Sequence, residues 1–119
     1  MDLTAAREQL EDERRDLAAL AEAQRSVLDA PGELDDERSS IHQHIGDAAS
    51  EMFDREEVLS LLLDAEQRIQ DIDHALHKIA TGAFGRCEAC NRSIGDERLT
   101  ARPDARFCVT DERAWEEAR

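Results

Sequence analysis

Tyrosine is absent, and aromatic residues make up only 3% of the 119-residue chain. A large aromatic core is excluded. No apolar run approaches the length of a membrane span, so no membrane association is expected. The opening, MDLTAAREQLED, is acidic and lacks the basic-then-apolar order of a signal peptide. Free cysteines and no export signal point to the cytoplasm. Basic residues are the minority: 15 Lys and Arg stand against 29 Asp and Glu, a net charge of −14. Residues 1–81 hold 21 of the acids and 8 of the bases. That part lacks the basic stripe that drives counterion release, so it suits nucleic-acid phosphates poorly. No sequence-specific nucleic-acid contact is expected, and any contact would fall to the arginines of 82–119.

The hydrophobic 40% is largely Ala and Leu, which suits helices packed at close range. Residues 2–30 contain neither Gly nor Pro and read as one helix, about 40 Å long. Leu3, Leu10 and Leu17 repeat at seven, with Ala6, Leu20 and Val27 on the second seam. Pro31-Gly32 stops this helix. The polar stretch 33–46 is expected to be a connection, with a short helical turn at 34–40 at most. A second helix is expected from Asp47 to Thr81, with Asp47 as its cap and Gly82 as its stop. Its seam alternates in steps of four and three: Val58, Leu62, Ala65, Ile69, Ile72, Leu76 and Ile79. Leu59, Leu61 and Leu63 fall off that seam. Two long helices with a short connection fold back as an antiparallel hairpin. One register pairs Leu3 with Leu76, Leu10 with Ile69, Leu17 with Leu62 and Val27 with Met52. It places the tip near 31–47 and residues 82–119 at the base, about 40–50 Å away.

All three cysteines lie within GAFGRCEACNRSIGDERLTARPDARFCVTD, residues 82–111. Cys87 and Cys90 form a C-x-x-C pair that could grip a metal from one tight turn. Cys108 follows after 17 residues, and Asp111 stands where a second C-x-x-C would end. The frame is C-x2-C-x17-C-x2-D, a zinc-finger spacing with one ligand changed. Three readings compete. A disulfide would leave an odd cysteine in a chain without signs of secretion. A thiol redox pair would want a βαβ context that is missing. One zinc ion on Cys87, Cys90, Cys108 and Asp111 accounts for all three cysteines, with a reduced, metal-free finger as the plain alternative. A carboxylate in place of a thiolate is expected to weaken zinc binding. After Asp111 a short amphipathic helix is expected, with Trp115 packed on the finger or the hairpin base. The fold class is thus all-α dominated: a hairpin over 1–81, and a zinc-finger module with a C-terminal helix over 82–119.

These residues resemble the DksA/TraR family of bacterial transcription regulators. Gly82, Phe84, Gly85, Cys87, Cys90, Ile94, Arg98-Leu99, Ala101, Pro103 and Cys108 match the family's G-x-[YF]-G-x-C-x-x-C, I, R-L, A-x-P and C. His44-Ile45-Gly46-Asp47-Ala48-Ala49-Ser50-Glu51 is similar to the H-x-x-D-x-[GA]-S-E start of the second helix in one branch. The resemblance implies a protein that binds RNA polymerase and inserts the hairpin tip into its secondary channel to modulate initiation. It places the key tip aspartate at Asp47 and the neighbouring small residue at Ala49. A second tip aspartate falls on His44, whose neutral imidazole is no carboxylate. Members that bind the guanosine tetraphosphate alarmone use basic residues; the matching positions are Asp71, Arg102 and Glu112, so that site is expected to be absent or very weak.

An adaptor whose hairpin serves another protein partner is the alternative function. An enzyme is not expected: His74, His77 and the carboxylates lie on a charged helix without an evident pocket. A metal site built from His42, His44 and Asp47 is not expected either. The chain is expected to be a monomer.

Overall fold

The computed structural model describes residues 2–30 and 45–118, with backbone alone for 45–51 and 53. The connection expected at 33–46, and any helical turn at 34–40, lie outside the described residues up to position 44. Among the described residues four helices follow in order: α1 (Leu3–Asp29), α2 (Ile45–Thr81), α3 (Asp96–Ala101) and α4 (Val109–Ala118). Among the described residues none is in an extended strand, and no helix is long and apolar enough to cross a membrane.

Sequence chemistry sets the helix ends. Asp2 caps α1: its carboxylate accepts the Thr4 N–H at 2.9 Å, and its carbonyl accepts that of Ala6 at 3.0 Å. At the end of α2, Gly82 takes φ +81°. Its N–H reaches the Ile79 carbonyl at 3.4 Å, while the Ala83 N–H reaches the Lys78 carbonyl at 2.9 Å. This double closure needs a left-handed residue, which glycine supplies without steric cost. The start of α2 differs from expectation. The helix begins at Ile45, so Asp47 lies within its first turn rather than at the cap.

The chain divides into two compact units, Met1–Arg15 with Ile69–Arg119, and Asp16–Arg68. Each holds a stretch of both long helices. In the first, Arg14 on α1 grips the Asp73 carboxylate of α2 through Nε at 2.6 Å and a guanidinium nitrogen at 3.2 Å. In the second, Arg25 approaches Glu66 at 3.6 Å and Arg55 donates to the Leu28 carbonyl at 3.3 Å. Partner numbers fall as α1 ascends, which is the order of an antiparallel hairpin.

The seam of α2 runs as its spacing indicates, with Leu62, Ala65 and Ile72 buried and Val58, Ile69, Leu76 and Ile79 half-buried. Leu59, Leu61 and Leu63 are exposed, off the seam. The seam of α1 departs from a strict seven-residue repeat. Its buried and half-buried apolar positions include Ala6, Leu10, Leu17, Ala21 and Leu28. Ala6, Leu17 and Leu28 stand eleven apart, as do Leu10 and Ala21. A straight helix drifts about 20° per heptad, and an eleven-residue spacing follows it more closely. By the third heptad the buried stripe has moved from Leu20 and Val27 to Ala21 and Leu28. Val27 is 55% exposed and Met52 64%, so they form no core pair, and Leu3 is exposed too.

Burial separates the two patterns by experiment. Ile72 is wholly buried. Ile72→Ala should lower unfolding free energy by about 2–5 kcal/mol, the usual range for a buried aliphatic truncation. Val27→Ala should cost less than about 0.5 kcal/mol, as exposed sites do. Chemical denaturation followed by circular dichroism measures both; equal losses would restore the seven-residue seam on α1.

Candidate metal centre

The finger begins where Gly82 ends α2. Gly85 has φ +89°, and an added Cβ there would meet the Leu99 Cδ1 at 3.4 Å. Its carbonyl accepts the Ile94 N–H at 2.8 Å. Arg86 and Ser93 form an isolated antiparallel bridge, which closes the segment into a knuckle. Inside it, the Cys87 N–H donates to the Arg92 carbonyl at 2.8 Å and the Asn91 N–H to the Cys87 carbonyl at 2.9 Å. Asn91 takes φ 61°, a conformation Asn tolerates better than most residues. This turn brings Cys87 and Cys90 to one side. A small core of Cys87, Ile94, Leu99 and Ala105, packed by Phe84, Phe107 and Cys108, holds the knuckle together with α3 and the segment before α4.

The other two donors come from the start of α4. The Glu112 N–H donates to the Cys108 carbonyl at 2.9 Å, the first turn of that helix. Asp111 is therefore inside the helix's first turn; the helix begins ahead of it, not after it. Residues three apart share a helix face, so Asp111 and Cys108 turn together towards the knuckle. An Asp111 Oδ2 lies 3.0 Å from the Cys87 Sγ and 3.1 Å from the Cys108 Sγ. Cys90 and Cys108 sulfurs are 4.0 Å apart. All four candidate ligand atoms fall within 4.8 Å of one another.

That geometry fits one zinc ion. With Zn–S near 2.3 Å and Zn–O near 2.1 Å, tetrahedral ligand atoms stand about 3.5–3.8 Å apart. The Asp111 N–H also points at the Cys108 Sγ, 3.5 Å away, an outer contact of the kind that orients a ligand. The Asp111 carboxyl is pulled down to about 2, chiefly by hydrogen bonds from the thiols of Cys90, Cys87 and Cys108. The Cys90 thiol is pushed up to about 12, mainly by the Asp111 carboxylate. Zinc requires thiolates, so its uptake must displace thiol protons.

The finger is anchored to α2 by polar contacts that periodicity reasoning missed. Asp71 accepts from an Arg106 guanidinium nitrogen at 3.0 Å. The His74 Nε2 pairs with Glu88, which sits between the two knuckle cysteines. Lys78, only 8% exposed, donates to the Arg86 carbonyl at 3.3 Å. Asp71, His74, Ala75 and Lys78 share one face of α2, with the small, buried Ala75 among them. Their helical spacing was the available signal. His74 is thus a half-buried anchoring residue, whereas His77 is exposed. Trp115, expected to pack on the finger or the hairpin base, is 54% exposed. The expected tip residues fare differently: Asp47 and Ala49 lie on the α2 backbone with side chains outside the description, and His44 is outside the described residues.

Comparison with known proteins agrees with this geometry. The family model of the prokaryotic dksA/traR C4-type zinc finger matches residues 82–110. An uncharacterised protein of Bacillus subtilis, YteA, is 39% identical over 77 residues, covering 65% of this chain and 30% of that protein. The RNA polymerase-binding transcription factor DksA of Escherichia coli K12 is 36% identical over 96 residues, covering 71% of this chain and 64% of its own length. The matched part therefore spans less than two thirds of either relative. The structure of transcription factor DksA2 from Pseudomonas aeruginosa superposes with a TM-score of 0.75 at 27% identity, covering 98% of this chain and 84% of that one. DksA and DksA2 are transcription factors, while YteA is uncharacterised.

Asp111 lies one residue beyond the matched finger. Metal analysis of reduced protein should give near one zinc per chain, lost in Cys87→Ser. Asp111→Cys should tighten binding in a competition titration, because a fourth thiolate is softer. Zinc absent from reduced, zinc-supplied protein would mean that packing alone holds the finger. Residues 82–110 thus carry a DksA/TraR-type zinc finger, and the chain is similar to the DksA proteins well beyond it, with an aspartate where such a finger would carry a fourth cysteine.

Proposed function

We propose that this protein is a cytoplasmic, monomeric transcription regulator that binds RNA polymerase and acts through an acidic hairpin tip in the enzyme's secondary channel. The observation that carries the reading is the likeness to E. coli DksA, which extends over 71% of the chain and so reaches well beyond residues 82–110. Charge supports it. The unit Asp16–Arg68 holds 14 acids against 4 bases. Such a field favours approach to a basic surface and disfavours duplex DNA. Three of the finger's arginines are already engaged: Arg98 and Arg102 with Glu112, and Arg106 with Asp71. These arginines are therefore poorly placed for direct nucleic-acid contact.

In this reading Asp47 is the working residue of the tip, with Ala49 beside it and His44 in place of a second acid. Regulation then depends on one carboxylate, acting near a metal-centred or cationic site. The alarmone site is absent or very weak, because Asp71, Arg102 and Glu112 offer no convergence of positive charge. The zinc finger seats the base of the hairpin.

Reconstituted transcription with purified polymerase tests the proposal. Asp47→Asn keeps side-chain size but removes charge. It should abolish the effect on initiation while polymerase binding, measured by co-sedimentation, stays within about threefold, as a change confined to one contact allows. Full activity of Asp47→Asn would overturn the role of its charge. Failure of the unmodified chain to bind polymerase would favour an adaptor that serves another protein.

A further inference from the structure

Lys78 is set apart by type, burial and partners. Of the 15 Lys and Arg residues it alone is lysine. It is 8% exposed, and its ammonium donates to the Arg86 carbonyl at 3.3 Å. Among the described residues it pairs with no carboxylate. Asp71, on the same face of α2, holds Arg106, and Glu88, on the knuckle, holds His74. A buried cation without a counter-charge is costly, and such groups are ordinarily paired. Its place in the last turn of α2 supplies only the partial negative charge of a helix end.

We infer that Lys78 is the counter-charge of the metal centre, a positioning residue that lowers the reactivity of the zinc-bound thiolates towards electrophiles. The inference rests on the metal reading of Cys87, Cys90, Cys108 and Asp111. Zinc held by three thiolates and a carboxylate carries a formal excess of two negative charges. The carbonyl that Lys78 binds belongs to the residue directly before Cys87, and Lys78 lines the same cleft as Cys87 and Glu88. Little water reaches the ammonium, so its field is screened less than that of a surface base. Arg92, whose charge also acts on Asp111, is exposed, and so is Arg86. Lysine fits this task, because its charge is a compact point, whereas the arginine fork is shaped for a facing carboxylate. A nearby cation makes bound sulfur less electron-rich, and thiolate nucleophilicity falls with basicity. Cys90, the exposed one of the three, is the sulfur that a reagent reaches first.

Alkylation of the zinc-loaded, reduced chain by iodoacetamide, a neutral electrophile, tests this, with zinc release followed by a chromogenic chelator. Lys78→Gln keeps a donor for the Arg86 carbonyl but carries no charge. It should speed alkylation and release by about threefold or more, the change that one unit of thiolate basicity carries. Lys78→Arg keeps the charge and should stay within about twofold of the unmodified chain. A second measurement needs no substitution. In chain labelled with nitrogen-15 lysine, the single side-chain ammonium signal should shift when zinc is removed. An unchanged alkylation rate in folded Lys78→Gln would overturn the inference while leaving the metal reading intact. So would an equal gain in Lys78→Arg, since charge would then not be the cause, or a Lys78 signal that is the same in the loaded and emptied chain. A chain that takes up no zinc would sink the metal reading, and the inference with it.

Discussion

The finger depends on a cross-link between its two halves. Its apolar core is four buried residues, Cys87, Ile94, Leu99 and Ala105, with three half-buried side chains around them. One of the four is itself a donor. Modules of this size rarely fold on burial alone and commonly rely on a metal. The Cys87–Cys90 turn and the start of α4 are separated by 17 residues of chain, yet their donor atoms gather within 4.8 Å. Everything between them, including α3 and the buried Pro103, is a loop closed by that gathering.

A carboxylate in this cluster alters more than affinity. The negative charge is held on Asp111, beside a Cys90 thiol that keeps its proton. A fourth thiol would not polarise its neighbours in that way. Metal entry must reverse the arrangement, so the balance between the loaded and empty states is set by both proton release and ligand softness. The same aspartate is also an acid in the first turn of a helix, where negative charge suits the backbone dipole. Ligation and helix formation therefore draw on one side chain.

Much of the architecture was legible in the sequence, for reasons that also mark the limits. The α2 seam was readable because Val58 to Ile79 are large, apolar and evenly spaced. The finger was readable because cysteines at fixed spacing have few other uses. The α1 seam was misread at Leu20 and Val27 because its buried positions include Ala6 and Ala21, which carry little hydrophobic signal. Two exposed residues with larger side chains looked more like core. The start of α2 was placed two residues late because Asp47 makes a plausible cap in isolation. Trp115, expected to pack on the finger or the hairpin base, stays about half exposed, because α4 has no buried residue. The contacts of Asp71, His74 and Lys78 were missed because a polar stripe on a long helix ordinarily means a solvated face.

That stripe bears on the positions that family resemblance assigns to anion recognition. Asp71 accepts a hydrogen bond from Arg106, which belongs to the segment leading to Cys108. Arg102 and Glu112 lie in an ion-pair group with Arg98 at the start of α4. Each of the three positions thus serves cohesion between the finger and its neighbours. A site for a highly charged anion needs several cations converging on open space. Here Arg102 would have to leave Glu112, and Asp71 would set a like charge against the ligand. Substituting a base at position 71 alone would not build such a site, because it would also release Arg106 and set two positive groups side by side. The bonding of Asp71, Arg102 and Glu112 therefore opposes their use as an anion receptor, in keeping with the proposal that the alarmone site is absent or very weak.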